Sequence, residues 1–409
     1  MRKLNKMLFV LYFIVLLFYG LFIKFLYGTQ FLKYIKLLPE IILVLFLITC
    51  FFIAKEKRGF QLIDISLLVV VVTICAISIF MNSSFSSIAV FIRDFFIPIL
   101  SLILLRSLRL DKRMIKFYYK SLAYLSIIFL LSSLYFGYMQ YTSSYEYTAN
   151  WYTNKVFYGF DEVSSIKVST ADGRVRALGL VGSSAKYGFY SVFAFVFITL
   201  YYKRISYFIV SFPLALLNIW FSTNKSSLVC LFALGLLEIL LIFYRGKHKL
   251  ILGAFMLTFT VFGAIGYFVL NTDKFFSIQE RFYLWGSYDY IGFENAILGL
   301  DVFSYFGNEN GWMSVIDNTY LFGFTSFGVV VFAFFIYYIA KQSLKTSYLL
   351  FISVMFLLLG MTTNLFSGRC FFTIYCVIAG IESSKISYNH RIPKHYELFS
   401  SSVKRPVLR

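Results

Sequence analysis

Residues 271–317, NTDKFFSIQERFYLWGSYDYIGFENAILGLDVFSYFGNENGWMSVID, form a long polar stretch in a chain that is otherwise dominated by apolar runs. One apolar run precedes this stretch, at 250–270, and another follows it, at 318–340. Connections of this length between regular elements are uncommon and are usually functional. The stretch carries Arg281 among aromatic residues and ends at Asp317, so we expect it to contribute to a binding site.

The composition predicts an all-α polytopic membrane protein. Of the 409 residues, 60% are hydrophobic, and the mean hydropathy is +0.78. The chain contains repeated apolar runs of about 18 residues or more, which is the length that a helix needs to cross a bilayer core of about 30 Å. Backbone polar groups in lipid must be satisfied internally, which favours a helical bundle. The first run, Met7–Gly28, is too long for a signal-peptide core and lacks a small-residue cleavage site, so we predict a retained helix.

The net charge of +19 does not predict a nucleic-acid partner. Lysine and arginine lie in short clusters between apolar runs, as the positive-inside rule expects, and form no contiguous basic face of the kind that binds nucleic acid. The five cysteines lie within apolar runs and form no CxxC motif. We therefore predict neither a disulfide nor a structural metal.

The pattern of runs predicts one domain of about twelve transmembrane helices over 1–384 and a cytoplasmic tail at 385–409. The predicted helices are 7–28, 38–54, 61–81, 87–105, 117–139, 185–202, 205–222, 226–244, 250–270, 318–340, 346–364 and 369–384. Most basic residues fall in alternate connections, which places that side and both termini in the cytoplasm. Two long connections, about 140–184 and 271–317, then face the extracytoplasmic side.

Cations follow the first long connection. Arg176 precedes a series of glycines and serines, and Lys186 begins the next apolar run. Glycine lets a backbone approach a ligand closely, and the free N–H groups of a helix start bind anions. The alternative is a flexible turn whose cations extend toward the interface. Lys225 also lies on the predicted outer side, where it is either an anion ligand or an interfacial anchor.

Arg93 and Asp94 interrupt the apolar run at 87–105. Ionisable groups within a span normally face the bundle interior or a wet cavity. Because neighbouring residues point about 100° apart on a helix, we expect these two side chains not to pair. Arg93 could reach the outer site, and a polar bridge between helices is the alternative.

The second long connection offers an arginine and a carboxylate. Arg281 lies one turn before Trp285 in a segment with helical character, and arginine suits bidentate contact with phosphate. The alternative is an interfacial aromatic helix whose arginine extends to the surface. Asp317 is either a site carboxylate or the N-cap of the following helix.

The outer polar groups lack the parts of several common mechanisms. All three histidines lie in segments predicted to be cytoplasmic, which excludes an outer Ser-His-Asp triad or histidine zinc site. No carboxylate pair is spaced to hold a divalent metal, and the connection at 28–37 carries no acid, although Glu40 follows it. We predict no metal and no cofactor. Cations can neutralise a diphosphate instead, and Asp317 could accept the proton of an attacking hydroxyl.

Four motifs resemble, in order, those of the O-antigen polymerase and O-antigen ligase superfamily. RALG at 176–179, before a Gly/Ser turn and a helix, resembles its R-x-x-G entry, and STNKSS at 222–227 resembles its T-x-S-R/K-x segment. Arg281 with Trp285, then LGL at 298–300, resembles its R…W…p-x-x-G-x-G loop, although Asp301 replaces the second glycine. DNTYL at 317–321, then Gly328, resembles its H/D-N-x-Y/F-L…G motif.

The resemblance, which covers roughly 170–335, implies a GT-C-related bundle in the bacterial cytoplasmic membrane. It implies a Wzy-type polymerase of O-antigen or capsular polysaccharide. Such a glycosyltransferase moves the growing glycan from undecaprenyl diphosphate to the terminal hydroxyl of an incoming lipid-linked repeat unit, without metal. The implied partners are the undecaprenyl-diphosphate-linked oligosaccharide, the bilayer, a chain-length regulator and a flippase.

The resemblance also implies roles for single residues. Arg176 and Arg281 would bind the diphosphates, with Lys186, Lys225 and Arg93 in support. Asp317 would orient or deprotonate the acceptor.

Two alternative functions stay open. A transporter, such as a lipid-linked oligosaccharide flippase, concentrates charged or broken-helix sites near the membrane midplane, and Arg93, Asp94 and Pro98 fit that pattern. A ligase would move the glycan to a different acceptor, but ligases of this superfamily carry histidine where this chain has Asp317.

Overall fold

The computed structural model describes residues 1–26, 37–57, 59–80, 92–142, 176–202, 205–243, 319–360 and 371–389. Within these ranges the chain is almost entirely helical, which confirms the predicted all-α class. The helices are α1 (Arg2–Leu17), α2 (Tyr19–Leu26), α3 (Leu38–Ile53), α4 (Leu62–Phe80), α5 (Ile97–Ser107), α6 (Lys112–Thr142), α7 (Ser184–Tyr202), α8 (Ile205–Ser222), α9 (Lys225–Phe243), α10 (Thr319–Ser343), α11 (Ser347–Gly360) and α12 (Phe371–Asn389). A π-helical turn, Ile92–Phe96, leads into α5, and two short strands, β1 (Glu56–Lys57) and β2 (Leu108–Arg109), pair antiparallel.

Within the described residues, the predicted helices agree with the observed ones except at a few boundaries and at Gly328, whose φ and ψ of 76° and 161° interrupt α10. The predicted helix at 250–270 lies outside the described residues. The predicted single helix at 7–28 begins instead at Arg2 and is divided at Phe18, whose φ and ψ of −110° and 22° leave the helical region. Helix α12 continues to Asn389, past the predicted domain boundary at 384.

Helix α6 is, among the described helices, the one that is both long and apolar enough to span a bilayer, judged by length and composition. Shorter apolar helices lie at Leu38–Ile53, Leu62–Thr73, Ser206–Ser222, Tyr348–Gly360 and Phe371–Ser384. Twelve membrane spans therefore stay a prediction.

Helix α3 leaves one apolar face uncovered. Ile41, Leu45, Ile48 and Phe52 follow the helical spacing of one face and are 53%, 45%, 45% and 65% exposed. Soluble monomers seldom expose large contiguous apolar patches, and such patches mark contacts with a protein or a membrane.

Helix α7 lies at the centre of the bundle. Every residue from Tyr187 to Leu200 is buried, and α6, α8, α9 and α11 pack around it. At its start, Tyr187 Oη lies 2.7 Å from the Ser133 carbonyl oxygen of α6 and 2.5 Å from Asn218 Oδ1 of α8. A helix that is apolar on all sides is typical of a buried core or a membrane span. The contacts of Tyr187 attach the N-terminal turn of this helix to α6 and α8.

Several basic connections meet at one end of the bundle, which we call the basic end (residues 2–6, 55–57 and 106–120). The amide of Asn5 in α1 donates to Thr49 Oγ1 of α3 at 2.8 Å. Lys6 Nζ lies 4.8 Å from the ring centre of Phe117 in α6, and the β1–β2 pair joins the remaining two connections. Three of the segments predicted to be cytoplasmic thus lie together in this part of the structure, and the side of the membrane that they face stays a prediction.

A buried ion pair holds the basic end together. Arg106 Nη1 donates to Asp64 Oδ1 at 2.7 Å and to Tyr338 Oη at 3.0 Å, while its Nη2 donates to Gln61. The arginine and aspartate side chains are only 7% and 2% exposed. These contacts join α4, α5 and α10, so neutralising one partner would leave a charge buried without compensation.

We expect Asp64→Asn to lower the stability of the purified protein by about 3–5 kcal/mol, because the isosteric amide removes the charge that Arg106 needs. The control is Lys55→Ala, since the Lys55–Asp111 pair at 3.9 Å has a lysine that is 57% exposed and should contribute at most about 1 kcal/mol. Thermal unfolding of both variants tests this. Equal midpoints for the two variants would show that the buried pair does not stabilise the fold.

Candidate functional site

The segment that carries Arg176 forms an ordered turn against two helices. The backbone N–H of Ala177 donates to the Phe221 carbonyl at 3.0 Å. The N–H groups of Leu178 and Gly179 both donate to Gln140 Oε1, at 2.8 and 3.0 Å. Gly179 has a φ of +57°, a conformation that glycine adopts without steric cost. The turn therefore holds Arg176 beside the ends of α6 and α8.

Gln140 is a site residue that sequence reasoning missed. It lies in the last turn of α6 and is 1% exposed. Its carbonyl accepts the two backbone donors of the turn, which is what a buried backbone requires. A polar residue at the end of an apolar run could have indicated a buried hydrogen-bonding role for Gln140, but only the fold shows which donors it contacts.

The N-termini of α7 and α9 lie side by side. Asn224 caps α9, since its Oδ1 accepts the N–H of Ser227 at 3.1 Å. The same side chain donates through Nδ2 to the Ala185 carbonyl in the first turn of α7, at 3.1 Å. A Cβ on Gly188 would lie only 2.7 Å from Ser227 Oγ and 2.8 Å from the Asn224 Cβ. The glycine thus permits the close approach of the two helix starts.

This approach brings two of the predicted cations to the same region. Lys186 is half-buried in the first turn of α7, and Lys225 is exposed at the first residue of α9. Helix N-termini carry a partial positive charge, so the two lysines add to it. We call this region, residues 176–188 and 221–227, the glycine end.

Arg93 and Asp94 do pair, and the prediction that they point apart is wrong. Arg93 Nε donates to Asp94 Oδ1 at 2.6 Å, and Nη2 donates to Oδ2 at 2.8 Å. The side chains are 19% and 3% exposed. The arginine side chain is long and flexible enough to return to its neighbour, and both residues lie in the π-helical turn rather than in a regular α-helix.

A small cavity of about 30 Å³ connects this pair with the glycine end. Arg93 and Lys186 both contribute to its wall, as does Glu40 from the first turn of α3. The remaining lining residues come from α1, α2, α3, α5 and α12: Tyr12, Leu16, Tyr19, Pro39, Leu43, Ile97 and Thr373. A cavity of this volume can hold one or two water-sized groups.

The structure places four of the six predicted site residues. Arg176, Lys186 and Lys225 lie at the glycine end, and Arg93 shares the cavity with Lys186. Arg281 and Asp317 lie outside the described residues. The roles of all six in binding or catalysis stay predictions.

The cations of the glycine end differ from those of the basic end in their partners. In the part of the chain that the structure describes, Arg176, Lys186 and Lys225 form no ion pair. The Nε atom of Arg176 is buried without a hydrogen-bond acceptor among the same residues. Because a buried donor without an acceptor is costly, this guanidinium is suited to receive an anionic group.

Across the described ranges, no group of three or more histidine, cysteine, aspartate and glutamate side chains is placed to hold a metal ion. A comparison of the whole chain with protein-family models and with curated proteins finds no significant match. The resemblance to the polymerase and ligase superfamily therefore depends on the four motifs, two of which, at 176–179 and 222–227, meet at the glycine end.

We expect Gly188→Ala to lower the free energy of unfolding by about 1–3 kcal/mol, because the added methyl group must push α7 and α9 apart. Alanine is otherwise favoured over glycine inside a helix, so a loss of stability reports the close packing. Gly59→Ala is the control, since a Cβ there meets nothing within 4 Å. Thermal unfolding distinguishes the two, and a Gly188→Ala variant as stable as the control would contradict the close approach.

Proposed function

We propose that this protein is a membrane-embedded polysaccharide polymerase that extends a glycan on a polyprenyl-diphosphate carrier. The observation that carries the proposal is the gathering of Arg176, Lys186 and Lys225, without ion pairs in the described residues, around two helix N-termini. Cations beside the partial positive charge of two helix N-termini suit a phosphate ligand. The motif order resembles that of the Wzy-type polymerases, which supports this choice of reaction.

In the proposed architecture, about twelve helices of a GT-C-related bundle cross the bacterial cytoplasmic membrane. Support comes from the uncovered apolar face of α3 and from the positions of the basic end and the glycine end, which contact α6 near its first and last turns, at Phe117 and Gln140. If the basic end faces the cytoplasm, as the positive-inside rule expects, the glycine end and the stretch 271–317 face outward. The lipid-linked substrate would then be bound on the outer leaflet.

In the proposed reaction, the acceptor hydroxyl oxygen attacks the anomeric carbon of the growing chain. The bond from that carbon to the diphosphate oxygen breaks, and the diphosphate leaves with the electron pair on its carrier. Arg176 and Arg281 stabilise the developing charge of the leaving group, with Lys186 and Lys225 nearby. Asp317 orients the acceptor and takes its proton.

A lipid-linked oligosaccharide flippase is the second candidate. The observation that favours it is the π-helical turn at Ile92–Phe96, which holds the shielded Arg93–Asp94 pair and precedes Pro98. Interrupted helices with ionisable groups are typical of transporter sites. Translocation of the lipid without chain growth would distinguish a flippase from a polymerase.

We expect Arg176→Ala and Arg281→Ala each to reduce polymerisation by about 10²–10³-fold, the effect of removing one group that stabilises a leaving anion. Purified protein in vesicles is supplied with lipid-diphosphate repeat units without divalent metal, and the ladder of glycan lengths is measured. Arg113→Ala, an exposed arginine of the basic end, should leave the ladder unchanged. Full ladders from both site variants at normal expression would refute the proposed diphosphate site.

We expect an epitope inserted within 143–175, and another within 271–317, to be accessible to antibody from outside intact spheroplasts. An epitope at the N-terminus should be accessible only after permeabilisation, because the basic end faces the cytoplasm. Both insertions lie outside the helices described above. If the two inserted epitopes are detected only after permeabilisation, the orientation is reversed and the proposed outer site is wrong.

A further inference from the structure

Glu40 shares the cavity with Lys186 and Arg93, and neither the motif resemblance nor the proposed reaction gives it a role. It lies in the first turn of α3, directly after Pro39 at the helix start. The partial positive charge of a helix N-terminus favours an ionised carboxylate in the first turn. Arg93 lies close enough to interact electrostatically with the same carboxylate. Glu40 therefore places a carboxyl group on the wall of a site whose other charged groups are cations.

The two cations on the cavity wall differ in whether a carboxylate pairs with them. Both Asp94 oxygens engage Arg93, whereas Lys186 has no ion pair within the described residues. Lys186 is thus the cation with charge available for a phosphate. A cation and a carboxylate on one small cavity suit a ligand that presents a phosphate next to a hydrogen-bond donor.

The sugar that is attached directly to a polyprenyl diphosphate has this chemistry, because its hydroxyl groups lie next to the phosphate. The cavity, at about 30 Å³, admits one hydroxyl-sized group but not a sugar ring. A hydroxyl inserted there could donate to the Glu40 carboxylate while the phosphate binds Lys186. The spent carrier, by contrast, presents a terminal phosphate whose negative charge the carboxylate would repel.

On the basis of the proposed function, we propose that Glu40 distinguishes the sugar-bearing lipid carrier from the spent polyprenyl diphosphate. Its carboxylate accepts a hydrogen bond from the phosphate-proximal sugar and repels the terminal phosphate of the bare carrier, while Lys186 binds the phosphate of both. Selection by attraction of one ligand together with repulsion of its competitor is a general route to specificity. It also favours release of the spent carrier after transfer.

The test measures the affinity of the purified protein for two probes, a polyprenyl diphosphate carrying a single hexose and the bare polyprenyl diphosphate. Glu40→Gln should weaken binding of the hexose-bearing lipid about tenfold, the effect of one hydrogen bond to a charged group. The same substitution should strengthen binding of the bare diphosphate. Lys186→Gln should weaken both to a similar extent, and Glu56→Gln at the basic end should change neither.

Glu40→Asp is a second variant that keeps the charge but shortens its reach, so it should weaken the hexose-bearing lipid without strengthening the bare diphosphate. If Glu40→Gln leaves the ratio of the two affinities unchanged, including by weakening both equally, the inference is overturned. If the wild-type protein binds neither lipid, the proposed function itself is wrong. If it binds both with a ratio independent of residue 40, only the role of Glu40 is wrong.

Discussion

The arrangement of the glycine end depends on the hydrogen bonds of the Tyr187 hydroxyl. This hydroxyl contacts the Ser133 carbonyl and the Asn218 side chain, so the first turn of α7 is attached to α6 and α8 together. The ring of Tyr187 also packs against Gly179, where a Cβ would lie 2.7 Å from it. The position of the turn at 176–182 and that of Lys186 therefore follow from one buried side chain. In a fold whose interior is apolar, such a polar contact is costly to break.

The charged side chains at the two ends of the bundle differ in their partners. At the basic end, Arg106 is shielded and fully engaged by Asp64, Tyr338 and Gln61, as a group that stabilises the fold should be. At the glycine end, the described cations lack such partners, and the N–H groups of two helix starts lie next to them. Unmatched positive charge of this kind raises the local concentration of anions and strengthens their binding. This difference supports the proposal that a phosphate ligand binds at the glycine end.

The cavity beside Lys186 adds a carboxylate to this otherwise cationic region. Glu40, Arg93 and Lys186 come from three separate parts of the chain, and α1, α2, α5 and α12 also contribute to the wall. A site with both positive and negative groups can distinguish between phosphate-containing ligands, because the polar groups next to the phosphate must also be complementary to the carboxylate. The proposed specificity for the sugar-bearing carrier depends on this combination of a carboxylate and cations.

The sequence by itself determined the all-α class, the approximate positions of most of the described helices and the clustering of basic residues in alternate connections. These properties follow from the lengths of apolar runs and from local charge, which a linear chain displays directly. It also pointed to Arg176, Lys186 and Lys225, because cations next to glycine and serine at helix starts are local patterns.

Only the tertiary structure decided which of these residues meet. Gln140 and Asn224 join segments that are far apart in sequence, and the lining of the cavity by Glu40 is not visible in any one stretch. The Arg93–Asp94 pair was predicted wrongly because ideal helical directions do not describe a flexible arginine in a π-helical turn. Contacts of this kind depend on how helices approach one another in space, and that approach is set by packing, for which the chain order carries no local signal.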